Sequence, residues 1–198
     1  MKNLKRKLSA LAMATLFAST QVSFAVIDTG LGNGNGGAII NNTTGGFVNG
    51  VAGNGSYDLN FNGNSHVNWD SLNVNKNESL NFNAVGGAKD LTILNTVNTG
   101  MSTIYGQINA NSGIGKLIIS NPNGVLFDGA KFTTAGDLQL TTKDLSNVKV
   151  EDLGKLNIDN AKFTKLYDNN GKLISIKIDN NSEFKVGGDY SIVAAGIN

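Results

Sequence analysis

The sequence predicts an all-β chain of the repeating, solenoid kind, and three observations carry that expectation. Short apolar alternations recur along most of the chain, Gly and Asn crowd the intervals between them, and one nine-residue pattern occurs twice. Gly numbers 25 and Asn 30 among 198 residues, while Pro occurs once. Both Gly and Asn tolerate the left-handed backbone of tight turns, so a fold of many short strands and many corners uses both. The regular apolar positions separate this chain from a disordered polar one.

The alternation starts at Tyr57. Tyr57, Leu59 and Phe61 lie between polar neighbours, followed by Leu72 and Val74, Leu80 and Phe82, and Leu91 and Ile93. Ile104, Ile108, Leu117 with Ile119, Val125 with Phe127, Leu138 with Leu140, and Leu156 with Ile158 continue it. A period of two predicts strands with one buried face. Strands so closely spaced fit a sandwich, a barrel or a solenoid. The repeat favours the solenoid. Residues 132–140 and 184–192 share Phe-x-x-x-Gly-Asp-apolar-x-apolar, and a solenoid stacks equivalent side chains. Coils of about 20 to 25 residues are expected, with Leu117, Ile119, Phe127, Leu138 and Leu140 buried. Between the two copies, Asn170-Gly171 is a hairpin turn signal, so residues 163–178 are expected to leave the stack as a hairpin. Residues 28–55, Gly- and Asn-rich around Ala38-Ile39-Ile40, are expected to form an N-terminal cap with loose loops. No amphipathic helix is evident beyond the N-terminus.

The first residues address the compartment. Lys2, Lys5, Arg6 and Lys7 precede an apolar stretch over 8–17, and Ser23-Phe24-Ala25 offers small residues to a signal peptidase. This reads as a secretory signal over 1–25, cleaved after Ala25. Its apolar core is too short for a lasting membrane anchor. Residues 26–198 then make one domain with room for a core. The net charge of +1, with scattered Lys and Arg, gives no nucleic-acid footprint. The absence of Cys suits a chain that crosses a membrane unfolded, because a disulfide would lock in a loop.

Chemistry is sparse. His66 is the one His. Without Cys it makes no zinc site, and a surface-loop position is expected for it. Asp70, Glu78, Asp90, Asp128 and Asp137 are scattered, and Asp128-Gly129 reads as a strand end and turn. No catalytic residue, metal or cofactor is assigned. The Gly-rich stretch 30–37 imitates a phosphate loop but lacks the following Lys-Ser/Thr, so a flexible loop is expected.

The sole Pro lies in Asn121-Pro122-Asn123-Gly124. Asn suits the first position of a type I turn, Pro the second and Gly the fourth. Strand-like residues flank it on both sides, 116–120 and 125–127, so spacing alone gives a tight corner. Asn-Pro-Asn-Gly followed by Val125-Leu126-Phe127 resembles the motif of the two-partner secretion domain, found at the N-terminus of filamentous haemagglutinin and contact-dependent inhibition toxin-like exoproteins. Upstream, the run from Trp69 through Ser71 and Asn73 resembles that family's Trp-x-Ser-Phe-Asn-Ile segment. Glu78-Ser79-Leu80-Asn81-Phe82 and Leu94-Asn95-Thr96-Val97 resemble its next strands, and Gly106, Ile108, Asn109, Ala110 and Asn111 its approach to the turn. Gly129-Ala130-Lys131-Phe132 and Gly136-Asp137-Leu138 also follow the pattern. An earlier Asn-Pro-Asn-Leu motif of some members is absent, and familiar members are much longer, so a truncated form and a short stand-alone member both stay open.

The resemblance implies a right-handed parallel β-helix, single-stranded and pectin-lyase-like, with an N-terminal cap and an extra-helical hairpin. It implies a non-enzymatic secretion domain of a surface or secreted exoprotein, adhesin or toxin. The partner would be an outer-membrane β-barrel transporter with periplasmic recognition domains. A C-terminal region beyond these residues would engage a host or bacterial cell surface. The alternative is a complete small surface adhesin or a carbohydrate-active β-helix enzyme. Within the motif, Asn121 and Asn123 could be recognised directly or could shape the corner, and the turn-forming residue types favour shaping.

Overall fold

The computed structural model describes residues 26–198; the expected signal segment 1–25 lies outside the described residues. Two strands open the fold, β1 (Ile27–Asp28) and β2 (Ile39–Ala52). β2 runs antiparallel to β3 (Ser56–Ser71), with several register shifts along the pair. From β3 on, the chain winds in coils. β3 supplies two faces of the first coil, its residues 56–61 pairing with the next coil's first strand and 65–69 with its second. Val74 forms a bridge on the third face. The second coil holds β4 (Ser79–Ala84), β5 (Leu91–Val97) and β6 (Ser102–Ile104), and the third β7 (Gln107–Ala110), β8 (Ile114–Ser120) and β9 (Val125–Phe127). The fourth holds β10 (Lys131–Thr134), β11 (Asp137–Thr141) and β12 (Ser175–Ile178), and the fifth β13 (Glu183–Val186), β14 (Tyr190–Val193) and β15 (Gly196–Ile197). Coil pairs with coil in parallel throughout. The chain is a parallel β-helix.

In-register pairing turns the alternation of each strand into columns of stacked side chains. One column reads Tyr57, Leu80, Ile108, Phe132, Phe184. Another reads Ser65, Ile93, Leu117, Leu138, Tyr190. A third, on the opposite wall, reads Val74, Ile104, Phe127, Ile178. These columns fill the interior, and Leu117, Ile119, Phe127, Leu138 and Leu140 are buried. Each fully buried Leu or Phe contributes about 1.5–3 kcal/mol through removal of apolar surface from water. The repeat noticed in the sequence is real stacking: Phe132 lies on Phe184, Leu138 on Tyr190 and Leu140 on Ile192, and the Phe132 and Phe184 rings stack 5.7 Å apart.

Coil length exceeds the expected range in places. Val67 pairs with Asn95, Asn95 with Ile119 and Ile119 with Leu140, steps of 28, 24 and 21 residues. The longest of these takes up the turns at residues 75–78 and around Gly86–Gly87. The step from Leu140 to Ile192 is 52 residues, because residues 142–174 leave the stack between β11 and β12.

This excursion is only partly the hairpin expected over 163–178. Tyr167 and Leu173 pair antiparallel across a turn in which Gly171 takes φ +74°. Residues 175–178 belong instead to β12, inside the stack. Nor do Leu156 and Ile158 mark a strand. They follow and open two short 3-10 segments, Val150–Lys155 and Ile158–Asn160. The Asn157 side chain accepts from Asp159 N at 2.9 Å and bends the chain there. Leu145, Leu153 and Ile158 form a second small core with Leu94 and Ile118. Those last two point outward from β5 and β8, so the excursion covers an apolar patch on the outer wall.

His66 fastens this cover. It lies in β3 and is 7% exposed, which corrects the expected surface-loop position. Its Nδ1 meets Val148 O of the excursion at 3.2 Å and its Nε2 meets Thr96 Oγ1 at 2.7 Å. An outward position on a strand becomes buried when another segment folds over it. The N-terminal cap also differs from the expected loose loops. Residues 39–52 are a continuous strand, and the Gly-rich turn at 30–37 is pinned. Glu78 Oε2 accepts from Gly32 N at 2.7 Å, and Asn73 Nδ2 donates to Gly37 O at 3.0 Å.

Burial lowers the pKa of His66, and its bond to the Val148 carbonyl offsets part of that shift. An unfolded His takes a proton at about pH 6.5. The folded one resists, so below about 6.5 the unfolded chain binds more protons and stability falls as pH falls. Above that pH the contribution is fully present. Urea midpoints measured from about pH 8 to 5 should therefore fall more steeply in the wild type than in His66→Gln. Parallel profiles would contradict the assignment.

Candidate functional site

The corner at Asn121–Gly124 is the most tightly fastened turn of the wall between β8 and β9. Gly124 N donates to Asn121 O at 3.0 Å, closing the turn that Pro122 enters at its second position. Asn121 is fully buried, and every polar atom of it has a partner. Its Oδ1 accepts from Asn123 N at 2.8 Å. Its Nδ2 donates to Gly100 O at 3.1 Å and to Ser102 Oγ at 2.9 Å. Its backbone N donates to Thr141 O at 3.0 Å. One side chain thus ties its own coil to the coil before, while its backbone ties to the coil after. Gly124 has φ +98°, and a Cβ there would lie 2.8 Å from Ser175 O of β12. The position therefore needs glycine for both conformation and space.

Pro122 and Asn123 are half-buried. The Asn123 side chain reaches outward: Nδ2 donates to Asn98 O at 3.4 Å, and Oδ1 accepts from Lys165 Nζ. It contributes nothing to the interior.

The other positions singled out in the sequence do not converge on the corner. Trp69 and Asn95 form a buried pair, with Trp69 Nε1 donating to Asn95 Oδ1 at 3.0 Å and Asn95 Nδ2 to Ile118 O at 3.1 Å. Ser71 and Asn73 hold the cap: Ser71 Oγ donates to Gly36 O at 2.8 Å, and Asn73 Oδ1 accepts from Thr103 N and Oγ1, both at 2.8 Å. At Gly106 a Cβ would collide with the carbonyls of Asn75 and Glu78. Asn109 continues an outer ladder, donating to Asn81 Oδ1 at 2.9 Å, while Asn81 donates to Asp58 Oδ1 at 2.6 Å. Asn111 grips the previous coil, accepting from Ala84 N at 3.0 Å and donating to Ala84 O at 3.2 Å.

Asn73, Asn111 and Asn121 have one chemistry in common: a short amide side chain replaces strand pairing where a coil turns. Unpaired buried backbone groups cost about 1–3 kcal/mol each, so such positions hold the helix together. Sequence reasoning missed Ser102, Thr103, Asn75 and Glu78 as partners. Only Asn75 and Glu78 left a local trace, as a polar pair three apart before an apolar run.

The acidic position weighed in the sequence, Asp128, follows β9 beside Asp179. Desolvation and the neighbouring Asp179 raise the Asp128 pKa. The bond from Gly129 N at 2.9 Å and that from Ser182 Oγ at 2.8 Å hold Asp179 below the ordinary range. Here a carboxylate ties turn to turn, as Asn121 does one coil earlier. Among the described residues no three His, Cys, Asp or Glu side chains gather to hold a metal ion.

The roles proposed for the corner can be separated by measurement. Asn121→Ala should lower stability by about 1–3 kcal/mol, because it strands the buried Ser102 hydroxyl and the half-buried N–H of Asn123. Asn123→Ala should change stability by less than about 0.5 kcal/mol. Urea unfolding of the refolded chains checks both. An Asn121→Ala chain of full stability would contradict the structural role of Asn121.

Comparison with curated protein sequences gives no match. Among solved structures the chain is similar to the HMW1 secretion domain from Haemophilus influenzae, with 20% identity and a TM-score of 0.54. That match spans 76% of this chain and 35% of the other, and at this identity it speaks for the fold. A family model described as the TPS secretion domain matches residues 25–198. With nearly the whole chain after the N-terminal segment covered, the protein belongs to the TPS secretion domain family, the export module of two-partner secretion.

Proposed function

We propose that this domain is the address by which an exoprotein is handed to a dedicated outer-membrane β-barrel, and that folding of the β-helix outside the cell biases the passage outward. The family match over residues 25–198 carries the reading. Residues 1–25 would direct the chain across the inner membrane and be removed after Ala25. The periplasmic domains of the barrel would then receive the extended chain. The mature product is secreted or displayed at the cell surface.

The pairing distances support this order of events. Partners on neighbouring coils are mostly 21 to 28 residues apart, so no strand of the stack is completed by local contacts alone. Folds of non-local pairs form slowly, which favours an exportable chain. Once outside, each coil templates the next. The cap is the natural starting point. Its bonds join residues 32–37 to residues 71–78, so it can close when the first 80 or so residues have emerged. β2 also supports a contact mode. β1 pairs with it only at Ile39 and Ile40, and among the described residues no second strand besides β3 pairs with its residues 48–52. A segment of this kind can add to a partner's sheet.

Co-expression with and without the cognate barrel tests the address. The mature chain should reach the medium only when the barrel is present. Equal amounts in both media would defeat the proposal. The variant Ala25→Arg should accumulate as uncleaved precursor at the inner membrane even with the barrel. A protein of mature size from that variant would instead move the cleavage site.

A further inference from the structure

The side of the corner left free by Asn121 faces a cleft that export does not explain. A space of about 370 Å³ lies between the extra-helical hairpin and the wall, bordered by Asn123, Met101 and Leu173 and by three lysines, Lys165, Lys172 and Lys177. Its size falls at the low end of ordinary small-ligand pockets, about 300–1,000 Å³.

The charge arrangement is unusual for an idle surface. None of the three lysines forms an ion pair among the described residues. The one carboxylate at the rim, Asp168, already accepts through Oδ1 from Asn170 N and Lys172 N, both at 2.9 Å, to shape the hairpin turn. Lys172 and Lys177 both line the cleft, and the neighbouring Lys172 side chain, its like charge and desolvation depress the Lys177 pKa. Lys172 ends the hairpin and Lys177 lies in β12. Like charges lining one cleft repel each other; the single carboxylate of Asp168 faces three lysines, and an oxyanion between Lys172 and Lys177 lowers the remaining repulsion. Met101 and Leu173, 45% and 41% exposed, put apolar surface beside the charges. A bare ion has no use for that surface, whereas the C–H face of a sugar ring does. Lys165, bonded to Asn123 of the corner, supplies a third donor at the edge.

We propose that this cleft binds an anionic sugar, with its phosphate or carboxylate between Lys172 and Lys177 and its ring on Met101 and Leu173. The mature secreted chain, labelled with 15N, is titrated at constant ionic strength with glucose 6-phosphate, glucuronate, inorganic phosphate and neutral glucose. Saturable shifts are expected at the amides of Gly100, Met101 and Leu173 with one or both of the anionic sugars, and more weakly with inorganic phosphate. Response to glucose 6-phosphate alone assigns a phosphorylated sugar; response to glucuronate alone assigns a sugar acid. The shifts should weaken at least tenfold in affinity in Lys172→Gln and in Lys177→Gln, and persist in Lys131→Gln, whose side chain lies outside the cleft. Both cleft lysines have solvent access, and an unchanged spectrum elsewhere verifies folding of each variant. Neutral glucose binding as well as the anions, inorganic phosphate binding as tightly as either anionic sugar, or no saturable shift at the cleft would overturn the proposal.

Discussion

Everything in this molecule depends on the register between successive coils. A parallel coil must present its backbone donors and acceptors to the next one in step, so whatever stands at one position stands above its counterpart in the coil below. That single constraint makes columns such as Tyr57, Leu80, Ile108, Phe132 and Phe184. It also makes the corners the hard part. On the flat faces the strands satisfy one another. At a corner the backbone turns away from its neighbour, and its polar groups lose their partners just where solvent is excluded. Each corner must supply replacements or give up the stability that the faces provide.

Asparagine is the common replacement here, for a chemical reason. Its amide carries both a donor and an acceptor at the reach of a backbone peptide. Asn121, Asn73 and Asn111 each use both, and each links one coil to another. Aspartate can take the acceptor half only, as Asp179 does toward Gly129 and Ser182. Glycine serves the complementary need for close approach. Gly106 lies against the carbonyls of Asn75 and Glu78, and Gly124 against that of Ser175. The abundance of these two residues is thus the composition of corners, and the alternating hydrophobes are the composition of faces.

The faces were legible in the sequence because period two and the Phe132/Phe184 repeat report directly on register. The corner at Asn121–Gly124 was legible because Pro and Gly have narrow backbone preferences. What stayed hidden depends on segments distant in sequence. Leu94 and Ile118 read as ordinary strand residues, yet they seat Leu145, Leu153 and Ile158 of the excursion. His66 looked exposed because its burial comes from Val148, 82 residues later. β2 was obscured by its own register shifts, which break the alternation between Ile39 and Asn49. Among the marked positions, the sequence could show which residues recur in a pattern but not that they hold separate corners. No local signal says that Asn73 answers Gly37 while Asn121 answers Gly100.

The division within the motif follows from the same constraint. Asn121 cannot serve the coil and a partner together, because both ends of its amide are already engaged and no surface of it is left. Asn123 has the opposite character: its amide meets only an exposed carbonyl and a lysine. A domain whose passage is drawn forward by folding needs the first kind of residue for the coil to close at all. Loss of such a residue weakens the coil even if no partner ever touches it. Recognition of the folded coil by an outside molecule can act only through the second kind. Within Asn121-Pro122-Asn123-Gly124, closing the coil and offering a surface to a partner are therefore separate properties, carried by residues facing opposite sides of the same turn.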